Sequence, residues 1–339
     1  MKFSIIIPTF NRSDALRRTM ASVAQLDFPA EDFELLVVDN GSTDQTPQAF
    51  EAARALVPKH NWRYFHEPMP GLLAGRHKGA LESQGDICAF IDDDVRVSVN
   101  WLNALKEAFD QPAVALVGGR SHPIYELPPS EWLQDFYCEN EHGRYCGCLS
   151  LFDGGEPSKE IHPIFVWGLN YAIRRKNLFD LGGFHPDCIL KPLQRFQGDG
   201  ETGLSWKILN AACKAMYHPQ ATVQHEIPAS RLTQDYLQRR AYYQGVCDSY
   251  TKIRIAGRVS QPAWSWKEPL RPVKRFVDKF FHPDGSMSSV LKNRVAEAYK
   301  LGYNFHQTEV RRDVRLLEWA LRKDYWDYTL PDGWLSYLK

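Results

Sequence analysis

The amino-acid sequence predicts an α/β protein: a doubly wound mixed sheet flanked by helices across residues 1–231, followed by a helical C-terminal region across residues 232–339. Three observations predict it. Short runs such as FSIIIP, FELLVVD and DICAFID are apolar without alternation, as strands buried on both faces are. Stretches of helical periodicity separate them, the pattern of strands joined by crossover helices. After Leu232 the strand-like runs stop and helical patterns take over.

The elements follow in order. FSIIIP is a first strand, ending in the polar turn PTFNR, and Ala15, Leu16, Met20, Val23 and Ala24 then recur at helical spacing. FELLVVD is a second strand, with NGSTDQT opening a helix through Ala55 and Leu56. RYFHE follows as a third strand, and PGLLAGRHKGALESQ reads as a turn opening into a helix. DICAFID gives a fourth strand, NWLNALKEAF a helix and AVALVGG another strand. From Ser121 to about Ser158 the sequence is irregular and aromatic, and a long loop over the sheet is expected. Regular elements resume at IFVWGLNYAIRR, NLFDLGGF and GDGETGLSWKILNAA, while KAMYHPQATVQHE suggests two short strands. YLQRRAYYQGVCDSYTKI, LRPVKRFVDKFF, VLKNRVAEAYKLGY and EVRRDVRLLEWALR then form either a small second domain or an appendage on the first.

Composition narrows the function. The 339 residues carry 41 basic and 41 acidic side chains, a balance that argues against a general nucleic-acid binder. No apolar run approaches the ~18 residues of a membrane span. The N-terminal MKFSIIIPTFNR is interrupted too early for a secretory signal, so a cytoplasmic protein is expected. Seven cysteines without such a signal favour reduced thiols. Cys138, Cys146, Cys148 and His142 match no paired zinc-ligand spacing.

In a doubly wound sheet, ligands bind beyond the carboxyl ends of the strands. Three polar stretches fall there: PTFNR, DNGSTD and DDDVR. Turn chemistry explains any one of them, but three at one face point to a site. Three adjacent carboxylates repel and are costly to bury unpaired, so they face a divalent cation, backbone donors or solvent. Strand alternation sends Asp92 and Asp94 to one side and Asp93 to the other.

SIIIPTFNR, VVDNGSTDQT, PGLLAGRHKGALESQGDICAFIDDD, GLNYAIRR…GGF and GETGLSWK occur in that order. Together they resemble the family 2 glycosyltransferases, whose GT-A fold is a Rossmann-like sheet, over roughly residues 1–230. The resemblance implies an inverting enzyme that moves a sugar from a nucleotide diphosphate sugar to an acceptor hydroxyl with Mn²⁺ or Mg²⁺. A UDP- or other pyrimidine-linked donor is expected, with polysaccharide or glycolipid assembly as the setting. It also implies a nucleotide-sugar half over about residues 1–120 and an acceptor half over about 121–231.

The same resemblance assigns residues. Pro8, Thr9 and Asn11 form the loop beside the nucleoside, and Asp39 accepts a hydrogen bond from the base; its alternative is a cap or turn role, which suits Ser42, Thr43 and Asp44 better. Arg76 matches the family's ARN segment, with His77 where Asn is usual. A guanidinium near a helix start suits a phosphate oxygen; the alternative is a surface arginine. Asp92, Asp93 and Asp94 form the DxD signature on the donor side. Asp94 is the expected direct ligand of a hard cation, with Asp92 nearer the ribose or bound through water. His225 either completes the metal shell or serves structure or acceptor. Family members carry a Glu-Asp pair, with Leu three residues and a basic residue six residues later. Aligning Leu204 and Lys207 puts Glu201 at the Asp position and Gly200 at the Glu position. Glu201 is thus the first candidate for general base and Asp199 the second. Trp167, Asn170 and the GGF turn resemble the segment flanking the acceptor pocket, although a packed core Trp fits equally.

WSWKEPLRPVKRFVDKFF sets Lys267, Arg271, Lys274, Arg275 and Lys279 among apolar residues at helical spacing. It fits peripheral contact with the inner face of an anionic membrane, or a helix packed on the catalytic domain or on a second copy of the chain. The expected partners are a nucleotide-sugar donor and a carbohydrate or lipid-linked acceptor, with no nucleic acid and room for a homo-oligomer. Competing readings are a metal-dependent nucleotidyltransferase, which leaves GETGLSWK and GLNYAIRR unexplained, and a non-catalytic sugar-nucleotide-binding scaffold.

Overall fold

The computed structural model describes residues 1–69, 71–189, 191–259 and 289–331. Four of the expected strands become parallel neighbours: β1 (Phe3–Thr9), β2 (Phe33–Asp39), β3 (Asn61–His66) and β4 (Ile87–Ile91), in the order β3-β2-β1-β4. All seven residues of β1 and of β2 are buried, which is why their sequences do not alternate. Helices α1 (Ser13–Val23), α2 (Thr46–Ala55) and α3 (Leu72–Glu82) make the crossovers. On α1, Leu16, Thr19, Met20 and Val23 face inward, the stripe that the periodicity indicated.

Strand β4 stops at Ile91, and Asp92–Asp94 form a turn into β5 (Val95–Val97). This corrects the expectation from strand alternation: the three acids are not on a pleated strand, and Asp93 and Asp94 share one partner. Helix α4 (Trp101–Phe109) follows, then β6 (Val114–Tyr125). The stretch expected to be a loop continues β6 and then builds β7 (Cys138–Asn140), β8 (Gly143–Cys146) and β9 (Leu151–Asp153). These form an antiparallel meander that joins β6 through the pairing of Phe152 with Ser121. Aromatic residues spaced by glycines were short strands and turns, not a coil.

A two-residue β10 (Lys159–Glu160) precedes β11 (Asn170–Arg174), which runs antiparallel between β4 and β6 and makes the sheet mixed. After α5 (Arg175–Asp180) and α6 (Glu201–Asn210) comes β12 (Lys214–Ile227). It is one strand with a register shift between His218 and Val223, where two short strands were expected. It pairs parallel with β6 and antiparallel with β5, setting His225 opposite both Pro123 and Val95. That pairing carries a residue from the end of the sheet to the acidic turn.

Helix α7 (Gln234–Ala256) starts at Thr233, whose hydroxyl accepts the Tyr236 N–H, and stops at Gly257 in the left-handed region. It crosses α8 (Ser289–Arg312) where a Cβ at Gly302 would collide with the backbone of Tyr242, so the two helices meet backbone to backbone. A short α9 (Val314–Ala320) is capped by Asp313. These helices share cores with the sheet: Tyr250, Val310, Trp319 and Tyr325 cluster with Phe90, Leu116 and Tyr171, and Leu237 and Leu291 with Leu133 and Phe136. The basic stretch around Trp264–Phe280 lies outside the described residues, so the membrane reading finds no structural counterpart. Among the described residues no helix is long and apolar enough to cross a membrane.

Candidate active site

The ends of β1, β2 and β3 are level: Thr9 pairs with Asp39, and Asp39 with His66. Asn11, in the left-handed region, accepts the Thr43 N–H at 2.7 Å, and its own N–H goes to Ser42 Oγ at 2.8 Å. This ties the loop after β1 to the loop after β2. Pro8 is buried within β1 beneath them. Asp39 is buried, accepting the Ser42 N–H at 2.8 Å and the Tyr64 hydroxyl. Burial, with Asp39 beside it, holds the Tyr64 phenol above its ordinary range. Tyr64 was missed because an aromatic residue within a strand reads as core.

Each acid of the turn has its own partners. Asp93 accepts Thr9 Oγ1 at 2.7 Å on one oxygen and Arg12 Nη1 at 2.6 Å on the other. Burial pushes its carboxyl up to about 7, with Arg12 opposing. Asp93 therefore fastens the β1 loop to the turn. Asp94 Oδ2 lies 2.7 Å from Arg12 Nη2 and 3.1 Å from Arg231 Nη2. Neither arginine was legible in sequence, since nothing local distinguishes them from other loop cations. Asp92 is the open member, with 34% of its side chain exposed, 3.7 Å from Arg76 Nη2.

The residues at Asp94 fit a divalent cation. Its Oδ1 is buried without a hydrogen-bond partner, a lone-pair acceptor aimed at the corner. His225 Nδ1 must be protonated, because the Leu149 carbonyl it meets at 3.0 Å can only accept. Its Nε2 then accepts from Arg231 Nη1 at 2.9 Å and lies 3.5 Å from Asp94 Oδ2. A ligand histidine that gives its other N–H to a carbonyl is held in this way. Among the described residues no three His, Cys, Asp or Glu side chains stand as a ready-made cage. A cation here would complete its shell with water and diphosphate oxygens, as Mg²⁺ characteristically does.

Arg76 is the hinge of the site. It is buried, with Asp92 on one side and Glu201 Oε2 at 3.2 Å on the other, and its guanidinium lies 5.1 Å over the Phe184 ring. Burial alone would lower its pKa, but Glu201, Asp92 and Asp187 more than offset this and keep it charged. Glu201 opens α6, and its Oε1 accepts the Gly168 N–H at 3.0 Å. Asp199, the second candidate base, is committed elsewhere: His185 Nδ1 at 2.7 Å takes one oxygen and Thr251 Oγ1 at 2.7 Å the other. It ties α7 to the loop before α6. Asp187, which sequence reading missed, accepts Gln197 Nε2 at 2.8 Å and lies against Gly200; burial and then Glu201 raise its pKa.

Asn170 is buried, its oxygen accepting from Trp101 Nε1 at 3.0 Å and its amide donating to the Ala221 carbonyl at 2.8 Å. Trp167 gives its N–H to the Ile164 carbonyl at 3.0 Å and packs near Tyr145 and Phe152, so it is mainly a packed aromatic. His77 bridges the Phe184 N–H and the Tyr325 carbonyl, both at 2.9 Å, and stacks on Trp326. The C-terminal segment is thereby latched to α3.

Three buried imidazoles give the fold a pH dependence. Burial pushes His77 down to about 3 and His185 and His306 to about 4, from an ordinary 6.5. Between those values the unfolded chain binds protons that the fold refuses. Their stabilisation is therefore whole above about pH 6.5 and is lost as pH falls toward 4, by up to about 1.4 kcal/mol per pH unit for each. The urea midpoint is expected to fall over that range, and less steeply in His306→Gln. A midpoint that is flat or rises on acidification contradicts this.

With the geometry described, comparisons become informative. The sequence matches the model described as glycosyl transferase family 2 over residues 4–179. The pre-mycofactocin glycosyltransferase of Mycobacterium tuberculosis is 26% identical over 248 residues, covering 71% of this chain and 46% of the relative. The validoxylamine A glucosyltransferase of Streptomyces hygroscopicus subsp. jinggangensis is 25% identical over 209 residues, 54% of this chain and 47% of the relative. The chain thus spans about half the length of these curated relatives. Among solved structures, the mannosyltransferase PcManGT from Pyrobaculum calidifontis, in complex with GDP-Man and Mn²⁺, superposes with a TM-score of 0.56 at 19% identity, covering 96% of this chain and 87% of that one. TarS 1–349 of Staphylococcus aureus, in complex with UDP-GlcNAc, gives 0.51 at 16% identity, covering 92% of each chain. At such identities the likeness concerns the fold, and it agrees with the GT-A architecture expected from sequence.

Proposed function

The chain belongs to glycosyl transferase family 2, and from that premise we propose that it transfers a sugar from a pyrimidine nucleotide diphosphate donor to an acceptor hydroxyl with inversion. The observation that carries the reading is Arg76, buried between Asp92 on the nucleotide side and Glu201 on the other. One guanidinium spans the two acids that the reaction needs in different roles. The base edge is Asp39 with Tyr64, and the loop of Thr9 and Asn11 borders the nucleoside.

Glu201 is the general base in this reading. Gly168 and Arg76 fix its two oxygens, and 22% of its side chain is exposed, against 4% for Asp199. The acceptor oxygen bonds to the anomeric carbon as its proton passes to Glu201. The bond from that carbon to the diphosphate oxygen breaks, and the electron pair leaves with the nucleoside diphosphate. One displacement inverts the centre. Asp94, with Asp92 and His225, would hold a Mn²⁺ or Mg²⁺ ion, which when bound would supply Lewis-acid stabilisation of the departing diphosphate. Arg12 and Arg231, already at this corner, add positive charge for the same phosphates.

Thermal-shift measurement against nucleoside diphosphates and their sugars tests the donor. The expected result is stabilisation by UDP and a UDP-sugar that grows with Mn²⁺. Stabilisation by GDP alone would overturn the pyrimidine assignment. Stabilisation by a UDP-sugar with no release of UDP, with or without acceptors, would favour the scaffold reading.

A further inference from the structure

We propose that the groove of about 370 Å³ between β6 and the β7–β9 meander is a subsite for a neutral saccharide, the acceptor of the reaction; this rests on the transferase reading above. Its size lies within the roughly 300–1,000 Å³ of small-molecule sites. Tyr125, Tyr137, His122, Gln134, Arg144 and Asp153 are among the residues that line it.

Position is the first argument. Pro123, on the groove wall, pairs with His225 across β6 and β12, and the Leu149 carbonyl just before β9 holds the His225 ring. The groove and the Asp94 corner therefore share one strand pair, and Phe152 on the groove wall packs 5.9 Å from Trp167, the neighbour of the Gly168 that binds Glu201. Asn170 is buried and Trp167 half-buried against Tyr145 and Phe152, whereas the groove has room for a ligand.

Chemistry is the second argument. The lining carries one arginine and one aspartate, and Asp153 is already met by Arg120 at 2.9 Å. A phosphate-bearing ligand wants an excess of cationic donors. A neutral polyol wants planar donors and acceptors for its hydroxyls and an aromatic surface for its C–H face. The second set is present, and it is held in place. The Arg144 guanidinium lies 4.6 Å over the Tyr137 ring and donates through Nη2 to Gln134 Oε1 at 3.1 Å. The hydroxyls of Tyr125 and Tyr137 meet at 3.0 Å, and Ser121 Oγ donates to the Ser150 carbonyl at 2.7 Å, fastening the meander to β6.

Saturation-transfer NMR tests this with the methyl β-glycosides of glucose, galactose, mannose and N-acetylglucosamine, and with glycerol 3-phosphate as an anionic probe. The full chain is used with UDP and Mn²⁺ present. At least one glycoside is expected to receive saturation, with about tenfold weaker affinity in Arg144→Ala, as befits loss of a charged hydrogen-bond donor. Arg144 is exposed, and Tyr125→Phe, which removes only a hydroxyl, is expected to weaken binding as well. No saturation of any glycoside, equal affinity in both variants, or saturation of glycerol 3-phosphate alone overturns the proposal. Thermal shifts with UDP and Mn²⁺ on the same samples separate the two readings. Nucleotide binding without glycoside binding removes the groove and leaves the transferase; glycoside binding without nucleotide binding does the reverse.

Discussion

Replacing Glu201 with Gln is expected to lower kcat by about 10²–10⁴-fold, the usual contribution of a general base, while UDP affinity stays near that of the parent. The amide keeps the shape of the side chain but cannot take a proton. It offers one oxygen where the carboxylate offers two, so either Gly168 or Arg76 loses its acceptor. Neutralising the partner of the buried Arg76 costs about 1.5–3 kcal/mol of stability, so the kinetic effect is read on samples held well below their melting temperature. Asp199→Asn makes the contrast. Its oxygens hold His185 and Thr251, so its signature is a lower melting temperature with kcat affected mainly through folding. If Asp199→Asn loses turnover at unchanged stability while Glu201→Gln retains it, the two roles are reversed.

The second large effect is expected at Asp94. Asp94→Asn should lose the Mn²⁺-dependent part of UDP affinity. Outer partners of a metal site already cost 10–100-fold when changed, and a direct ligand should cost at least about 100-fold. Chelation with EDTA should bring the parent down to the level of the variant and leave the variant unchanged. The opposite partner matters too, because Arg12 and Arg231 converge on the oxygen that Asn makes neutral. The variant leaves Arg231 without its carboxylate and Arg12 with Asp93 alone, and UDP binding without metal is expected to persist through them. A variant that still responds to Mn²⁺ would place the ion elsewhere.

Legibility in the sequence followed the range of the interactions. Strands β1, β2 and β4 could be read because burial on both faces makes a local stretch uniformly apolar, and the polar ends of those strands marked the site. Glu201 and Arg76 were singled out from ordered motifs, and the fold brings them together across 125 residues. Arg12 could not be, because its importance depends on Asp93 and Asp94, more than 80 residues later. His77 stands where the resembling family has Asn, and only the fold explains it: its two backbone partners come from Phe184 and Tyr325. Asn170, placed by resemblance beside an acceptor, bonds to Trp101 and Ala221, partners too distant in sequence to be read from its own segment. The β7–β9 meander was hidden by strand length, since runs of three or four residues are too short to show a period.

The central claim is that Asp94 and Glu201 mark the two ends of one reaction, with the cation at Asp94. Anomalous diffraction at an energy sensitive to manganese, from crystals grown with UDP and Mn²⁺, tests it most directly. The account expects one strong peak within coordination distance of Asp94 Oδ1 and of the UDP phosphates, on the side of Arg76 away from Glu201. UDP bound at the strand ends with no manganese beside Asp94, or manganese held between Glu201 and Asp187, would contradict it.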